Sequence, residues 1–229
     1  GIRDVAPSRG LGDEYKRQGG EYWANEKLIE RVRAWVREGH GFIGVGEPTA
    51  YQKNGRFFQL ADVMGVDKEL GFTLSEDKYN IEKKKHFITE DVGGKIDYGE
   101  GMKNVYALNG ADVLDITCSD RFKRNVNVGE VTLAANAYGK GRGVYIAGLP
   151  YNAQNARILY RAMFWSASKE KEMYKAFSSD LDTECSYYPE FGRYVIVNNV
   201  QTERKTIFYD IKGAMKEVFL KGGECRIIE

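Results

Sequence analysis

The chain has no apolar run approaching the ~20 residues that a helix needs to cross a bilayer. It also has no charged start followed by an apolar segment, the pattern of a secretion signal. The expectation is a cytoplasmic protein with no membrane partner. Cysteine is scarce: Cys118, Cys185 and Cys225 are an odd number without a Cys-x-x-Cys spacing. That argues for reduced thiols and against a disulfide framework or a zinc site. Histidine is scarcer still, and His40 and His86, far apart, cannot anchor a metal alone. Neither sign of charge dominates: 34 Lys and Arg stand against 33 Asp and Glu. No global field draws the chain to nucleic acid.

What is there is an ordinary globular composition, 42% hydrophobic and 29% charged over 229 residues. That length suffices for one large domain, or a medium one with a small one. The first residue is Gly rather than Met, and the chain reads as part of something longer.

Residues 1–20 are polar and glycine-bearing, without helical or strand periodicity. Order then sets in. Asn25 can cap a helix over residues 26–38, with Gly39 placed to end it. Leu28, Ile29, Val32, Trp35 and Val36 would form its buried stripe. "GFIGVG" follows, a short apolar run of the kind found in buried parallel strands. A helix leading at once into such a strand is half of an α/β unit. A short helix is expected over residues 57–64, and the charged stretch "DKYNIEKKKHFITEDV" is expected at the surface. Strands come next: residues 104–108, 112–118 and 130–139. "GKGRG" links the last of these to "VYIAGL" as a hairpin. Asn152 caps a second long helix reaching about Ser168, with Ile158, Leu159, Ala162, Met163 and Phe164 inward. After Lys171 the pattern changes to short strands separated by Gly, Pro and Asn turns, a small all-β region.

Chemistry is harder to find. The loop Gly44-Val45-Gly46-Glu47-Pro48 lacks the third glycine of the dinucleotide fingerprint and the Gly-Lys-Ser/Thr of a P-loop. No clear helix N-terminus follows to face a pyrophosphate. Two readings stay open: a turn whose glycines allow close backbone approach, or a loop touching a ligand through backbone N–H groups or Glu47. An amidotransferase would need a cysteine on a strand-to-helix elbow with His and Glu partners. Cys118 sits in "DITCSD" without flanking glycines, so the nucleophile reading fails and a small buried hydrophobe remains. Glu47, Asp62, Asp77, Glu90, Asp91 and Asp115 offer no pair that can be placed across a pocket; a solvated role is expected for most. "EKKKH" reads as a solvated charge run. Tyr187, Tyr188, Phe191, Tyr194, Phe208 and Tyr209 form either a carbohydrate-stacking platform or the core of the small β region.

Longer blocks say more. "GFIGVGEPTA", "FFQLADVMGVDKE", "DKYN" and "GKGRGVYIAGLPYNAQNARILYRAMFW" resemble the central part of the 1,3-β-galactosyl-N-acetylhexosamine (lacto-N-biose) phosphorylases. "ECSYYPEFGRYVIVNN" resembles that family's C-terminal β domain. The resemblance implies an α/β fold: an amidotransferase-like (flavodoxin-like) domain over residues 1–170, then a small all-β domain over 171–229. It also implies a catalytic barrel outside this chain. The implied reaction is inverting phosphorolysis of a β-galactoside, in which phosphate replaces the base and water of an inverting hydrolase. Its general acid lies in the barrel, so no catalytic residue is assigned here. Partners are inorganic phosphate and the galactoside, reached through the barrel, within a homo-oligomer; no cofactor or metal is expected. Gly44, Gly46 and Glu47 are the candidate phosphate or interface loop. The acceptor is an N-acetylhexosamine or L-rhamnose. The competing reading of this chain is a non-catalytic subunit-contact or sugar-binding module. Ahead of "GGEYW" the family leads one to expect an apolar strand, which "GIRDVAPSRGLGDEYKRQ" does not resemble.

Overall fold

The computed structural model describes residues 26–46, 57–69, 81–117 and 129–228. Helix α1 (Glu26–Arg37) runs directly into strand β1 (Gly41–Val45). Next come a one-turn helix α2 (Ala61–Met64), β2 (Val66–Lys68), β3 (Val105–Ala107), β4 (Asp112–Thr117), β5 (Glu130–Tyr138) and β6 (Gly141–Ile146). Helix α3 spans Ala153–Ser166. Beyond it lie β7 (Phe177–Ser178), β8 (Thr183–Tyr188), β9 (Arg193–Asn198), β10 (Arg204–Tyr209), β11 (Met215–Leu220) and β12 (Cys225–Ile228). The fold is therefore sheet-rich, a mixed α/β layer followed by all-β sheets.

The central sheet has the order β1-β6-β5-β4. β1 lies parallel to β6, whereas β6, β5 and β4 are antiparallel neighbours. α2 packs on one face of this sheet and α3 on the other. The approach of α2 depends on Gly143: a Cβ there would lie 2.0 Å from the Val63 carbonyl oxygen. The hairpin between β5 and β6 is tighter than "GKGRG" suggests, since pairing continues to Tyr138 opposite Gly141. Only residues 139 and 140 form the turn.

α1 buries a narrower stripe than its spacing predicts. Ile29 and Val36 are buried and Val32 packs beside them, but Leu28 and Trp35 are nearly half exposed. Trp35 instead stacks on His40, with ring centroids 4.5 Å apart and planes at 8°. On α3, Ile158 and Ala162 are inward as expected, but Met163 faces out and Arg161 is buried in its place. The helix over residues 57–64 shortens to α2; ahead of it the Asp67 carboxylate accepts the N–H groups of Phe57 and Phe58 at 2.9 and 3.0 Å. The stretch around "EKKKH" divides. Lys83 and Lys84 are exposed, whereas Ile88 is buried in a short 3-10 turn (Phe87–Thr89) packed on α3.

The C-terminal strands form two three-stranded sheets, β11-β10-β7 and β12-β9-β8. Tyr194, Ile196, Phe208, Val218 and Leu220 fill the space between them. Of the aromatic set, Tyr194 and Phe208 are core, while Tyr188 and Phe191 are exposed. Cys185 and Cys225 sit opposite the adjacent β9 residues Ile196 and Val197, hence on opposite faces of the sheet. Burial pushes the Cys185 thiol up to about 11, away from thiolate chemistry. Cys118 lies outside the described residues.

Candidate functional site

Parallel strands carry ligands at their carboxyl ends, and among the described residues β1 and β6 form the parallel pair. Gly44 is buried within β1, opposite Tyr145. Gly46 follows the strand with a left-handed φ of 72°, and its N–H donates to the Ile146 carbonyl at 2.8 Å. That donor is thus spent on closing the strand end. Among the described residues, a Cβ at Gly46 would meet nothing within 4 Å. Glu47 lies outside the described residues.

Beyond β6 the chain turns into α3 through a built junction. Asn152 caps the helix, its Oδ1 accepting the Asn155 N–H at 2.8 Å. Asn155, itself buried, donates through Nδ2 to the Asp97 and Pro150 carbonyls, both at 2.8 Å. One amide thereby fixes two loops to the start of α3. Over the end of β6, Met102 donates its N–H to the Ala147 carbonyl, and the buried Tyr98 donates to Asp115 at 2.9 Å. Burial and the Asp115 charge raise the Tyr98 pKa far above its ordinary value, so this phenol stays a proton donor.

One turn further along α3 lies a cluster that no sequence motif announces. Arg161 donates to Asp91 through both Nε (2.6 Å) and Nη2 (2.8 Å). Its Nη1 reaches Glu90 at 2.9 Å and the Phe87 carbonyl at 3.1 Å. Arg157 also meets Asp91, at 2.9 Å, and donates to the carbonyls of Ser178, Ser179 and Asp180. The paired guanidinium groups hold Asp91 below the usual carboxylate range despite its partial burial. Asp62 and Asp115 are likewise in structural use, whereas Glu47 and Asp77 lie outside the described residues. Asp62 pairs with Arg33 at 3.0 Å, and Asp115 takes Tyr98 and Lys83. The only advance signal for Arg157 and Arg161 was their i, i+4 spacing on a face otherwise read as apolar.

Between α3 and the start of β8 lies a cleft of about 550 Å3, bordered by Tyr151, Asn152, Tyr160, Phe177, Glu184 and Asn199 among others. Tyr151 is fully exposed at its rim. Gly44 and Gly46 are not part of this cleft. Among the described residues, no group of three His, Cys, Asp or Glu side chains is disposed to hold a metal.

Compared with known proteins, residues 11–171 match the lacto-N-biose phosphorylase central domain and residues 177–228 the C-terminal domain of the same enzymes. The chain belongs to the lacto-N-biose phosphorylase family. A 1,3-β-galactosyl-N-acetylhexosamine phosphorylase of Lachnoclostridium phytofermentans is 47% identical over 215 residues, covering 93% of this chain and 28% of that protein. The enzyme of the same name from Bifidobacterium longum is 42% identical over 82% of this chain, again 28% of the relative. A D-galactosyl-β-1,4-L-rhamnose phosphorylase of L. phytofermentans is 30% identical over 80% of this chain. This member of the lacto-N-biose phosphorylase family thus spans little more than a quarter of the curated relatives it matches. Among solved structures, a β-galactosidase from Rahnella sp. R3 superposes with a TM-score of 0.54 at 19% identity, over 88% of this chain and 30% of that one. That likeness concerns the fold alone.

Proposed function

We propose that this chain is the non-barrel part of an inverting galactoside phosphorylase, a hexosyltransferase that acts in the cytoplasm. The reaction joins phosphate and a β-galactosyl-1,3-N-acetylhexosamine to give galactose 1-phosphate and the free N-acetylhexosamine. A phosphate oxygen attacks the anomeric carbon, and the glycosidic C–O bond breaks on the opposite face. A carboxylic acid protonates the departing oxygen. That acid belongs to the barrel, and the present chain alone is inactive. The observation that carries this reading is the combination of 47% identity with only 28% coverage of a relative so named. The acceptor is an N-acetylhexosamine rather than L-rhamnose, supported by identities of 42–47% against 30%.

Residues 1–170 then form the amidotransferase-like α/β domain and residues 171–229 the β domain. Two separate apolar clusters support that division. The loop of Gly44, Gly46 and Glu47 faces the barrel in a homo-oligomer and lies near the phosphate or the domain interface. The position of Gly46 at the carboxyl end of β1, which runs parallel to β6, supports the placement.

The test is phosphate release in the synthetic direction, from galactose 1-phosphate with N-acetylglucosamine, N-acetylgalactosamine or L-rhamnose. The chain is compared with the longest natural reading frame containing it. Release from the longer protein alone, with an N-acetylhexosamine, is expected. Release from this chain would mean that an acid lies among its own carboxylates. Release from neither would leave a subunit-contact module.

A further inference from the structure

We propose that the cleft between α3 and β8 is a second, non-catalytic site that binds a neutral pyranose. The inference takes its probe sugars from the phosphorylase reading, but the cleft's own chemistry selects the ligand class. Two cations lie nearby and both are committed: Arg157 to Asp91 and three carbonyls, Arg204 to Asp182 at 2.7 Å. Glu184 contributes a carboxylate, of which Oε1 accepts one hydrogen bond, from Asn199 at 3.0 Å. A phosphate or a phosphosugar would therefore meet a carboxylate and no uncommitted guanidinium.

A neutral sugar meets complementary groups. Tyr160 is about 40% exposed in the cleft wall, its ring held edge-on against Phe164 at 4.8 Å. A tyrosine fixed in this way presents a rigid face to the C–H side of a pyranose at little entropic cost. Tyr151 stands fully exposed at the rim. Glu184, Asn152, Asn199 and Ser186 line the same cleft and supply acceptors and donors for sugar hydroxyls. A volume of about 550 Å3 lies within the range of pockets that enclose small organic ligands. The half-buried Cys185 adds an unreactive thiol to the floor.

The experiment titrates galactose, N-acetylglucosamine, lacto-N-biose and, as a control, galactose 1-phosphate into the isotope-labelled 229-residue chain, followed by amide NMR. The same sugars are then added to the longest natural protein. Millimolar binding of neutral sugars is expected, with shifts gathered at Asn152, Tyr160, Glu184 and Asn199 and none from galactose 1-phosphate. Tyr160→Ala should weaken it at least about tenfold. Glu184→Gln, which keeps size and acceptor, should weaken it several-fold with the rest of the spectrum unchanged. Neither substitution should alter kcat for phosphate release by the longer protein. Absence of shifts, or shifts that survive both substitutions, overturns the site, as does a response only to galactose 1-phosphate. So does a longer protein that protects these amides without sugar and ignores it, since its own chain would then fill the cleft. Turnover without this binding rejects the site and keeps the phosphorylase; binding without turnover does the reverse.

Discussion

The two halves of the molecule reach order by different means. Around the central sheet, Val36, Phe58, Met64, Val66, Leu133, Val144 and Ile146 are all fully buried, and helices cover both faces. Each such side chain contributes about 1.5–3 kcal/mol of transfer free energy. Between the C-terminal sheets only Tyr194, Ile196, Phe208, Val218 and Leu220 are buried together. Polar ties supplement them. The Ser178, Thr183 and Thr206 hydroxyls bond one another in the interior. Asn198 donates to the Thr202 and Lys221 carbonyls, both at 2.8 Å. The lesson is that a small sheet pair with little apolar volume relies on directed bonds and on its neighbour, part of whose contribution passes through Arg157.

Substitutions can break this contrast. The largest effect is expected from Gly143→Ala: its Cβ would collide with a backbone carbonyl, which cannot swing aside. A loss of at least about 3 kcal/mol in urea unfolding, or failure to fold, should follow. Arg161→Ala should cost about 2–4 kcal/mol, because it empties a buried site and leaves Arg157 alone to hold Asp91. Arg161→Lys should recover only part, since an ammonium cannot reproduce the two-pronged bond to Asp91. Both losses should register in the central half by hydrogen exchange. Thr206→Val tests the other half. A loss of about 1–2 kcal/mol is expected, with faster exchange confined to β7, β8 and β10. Uniform exchange acceleration after Thr206→Val would mean that the two halves unfold as one.

A smaller effect follows pH. His86 accepts the Ile88 N–H on Nδ1 at 3.2 Å and packs edge-on against Trp165. Burial lowers its pKa below the ordinary 6.5, against the opposing pull of Asp112 and Glu170 and with a minor assist from Arg142. The unfolded chain therefore binds the proton first, and stability falls as pH drops from 6.5 through the folded value. His86→Asn keeps an acceptor for Ile88 and should flatten this dependence in thermal melts between pH 7 and pH 5. An unchanged slope would assign it to other groups.

Local signals were readable in the sequence. The Asn152 cap, the α1 to β1 succession and the β5–β6 hairpin each rest on a few consecutive residues. Non-local facts were not. Nothing near Gly41 says that β1 pairs with β6, one hundred residues later. Trp35 and Leu28 have the right spacing for burial, yet the face that α1 offers the sheet is too narrow to include them. Arg161 reads as a surface charge until the segment around Asp91 is folded against it. At the candidate loop, the strand and the glycine turn were legible, but the capture of the Gly46 N–H by Ile146 was not. The cleft was invisible for the same reason, being assembled from separate segments between Tyr151 and Asn199.

Arg157 also bears on how the chain can be divided. It is rooted in α3, on the central side of any cut placed near residue 170, yet three of its acceptors are carbonyls of residues 178–180. Excising the C-terminal strands there would leave a cation facing solvent where a peptide loop had been, and would take from the strands the clamp that shapes their first turn. The covalent seam between the two modules and their mechanical seam lie on different residues. A shuffled or transplanted β module would need a counterpart of Arg157 waiting on its new host.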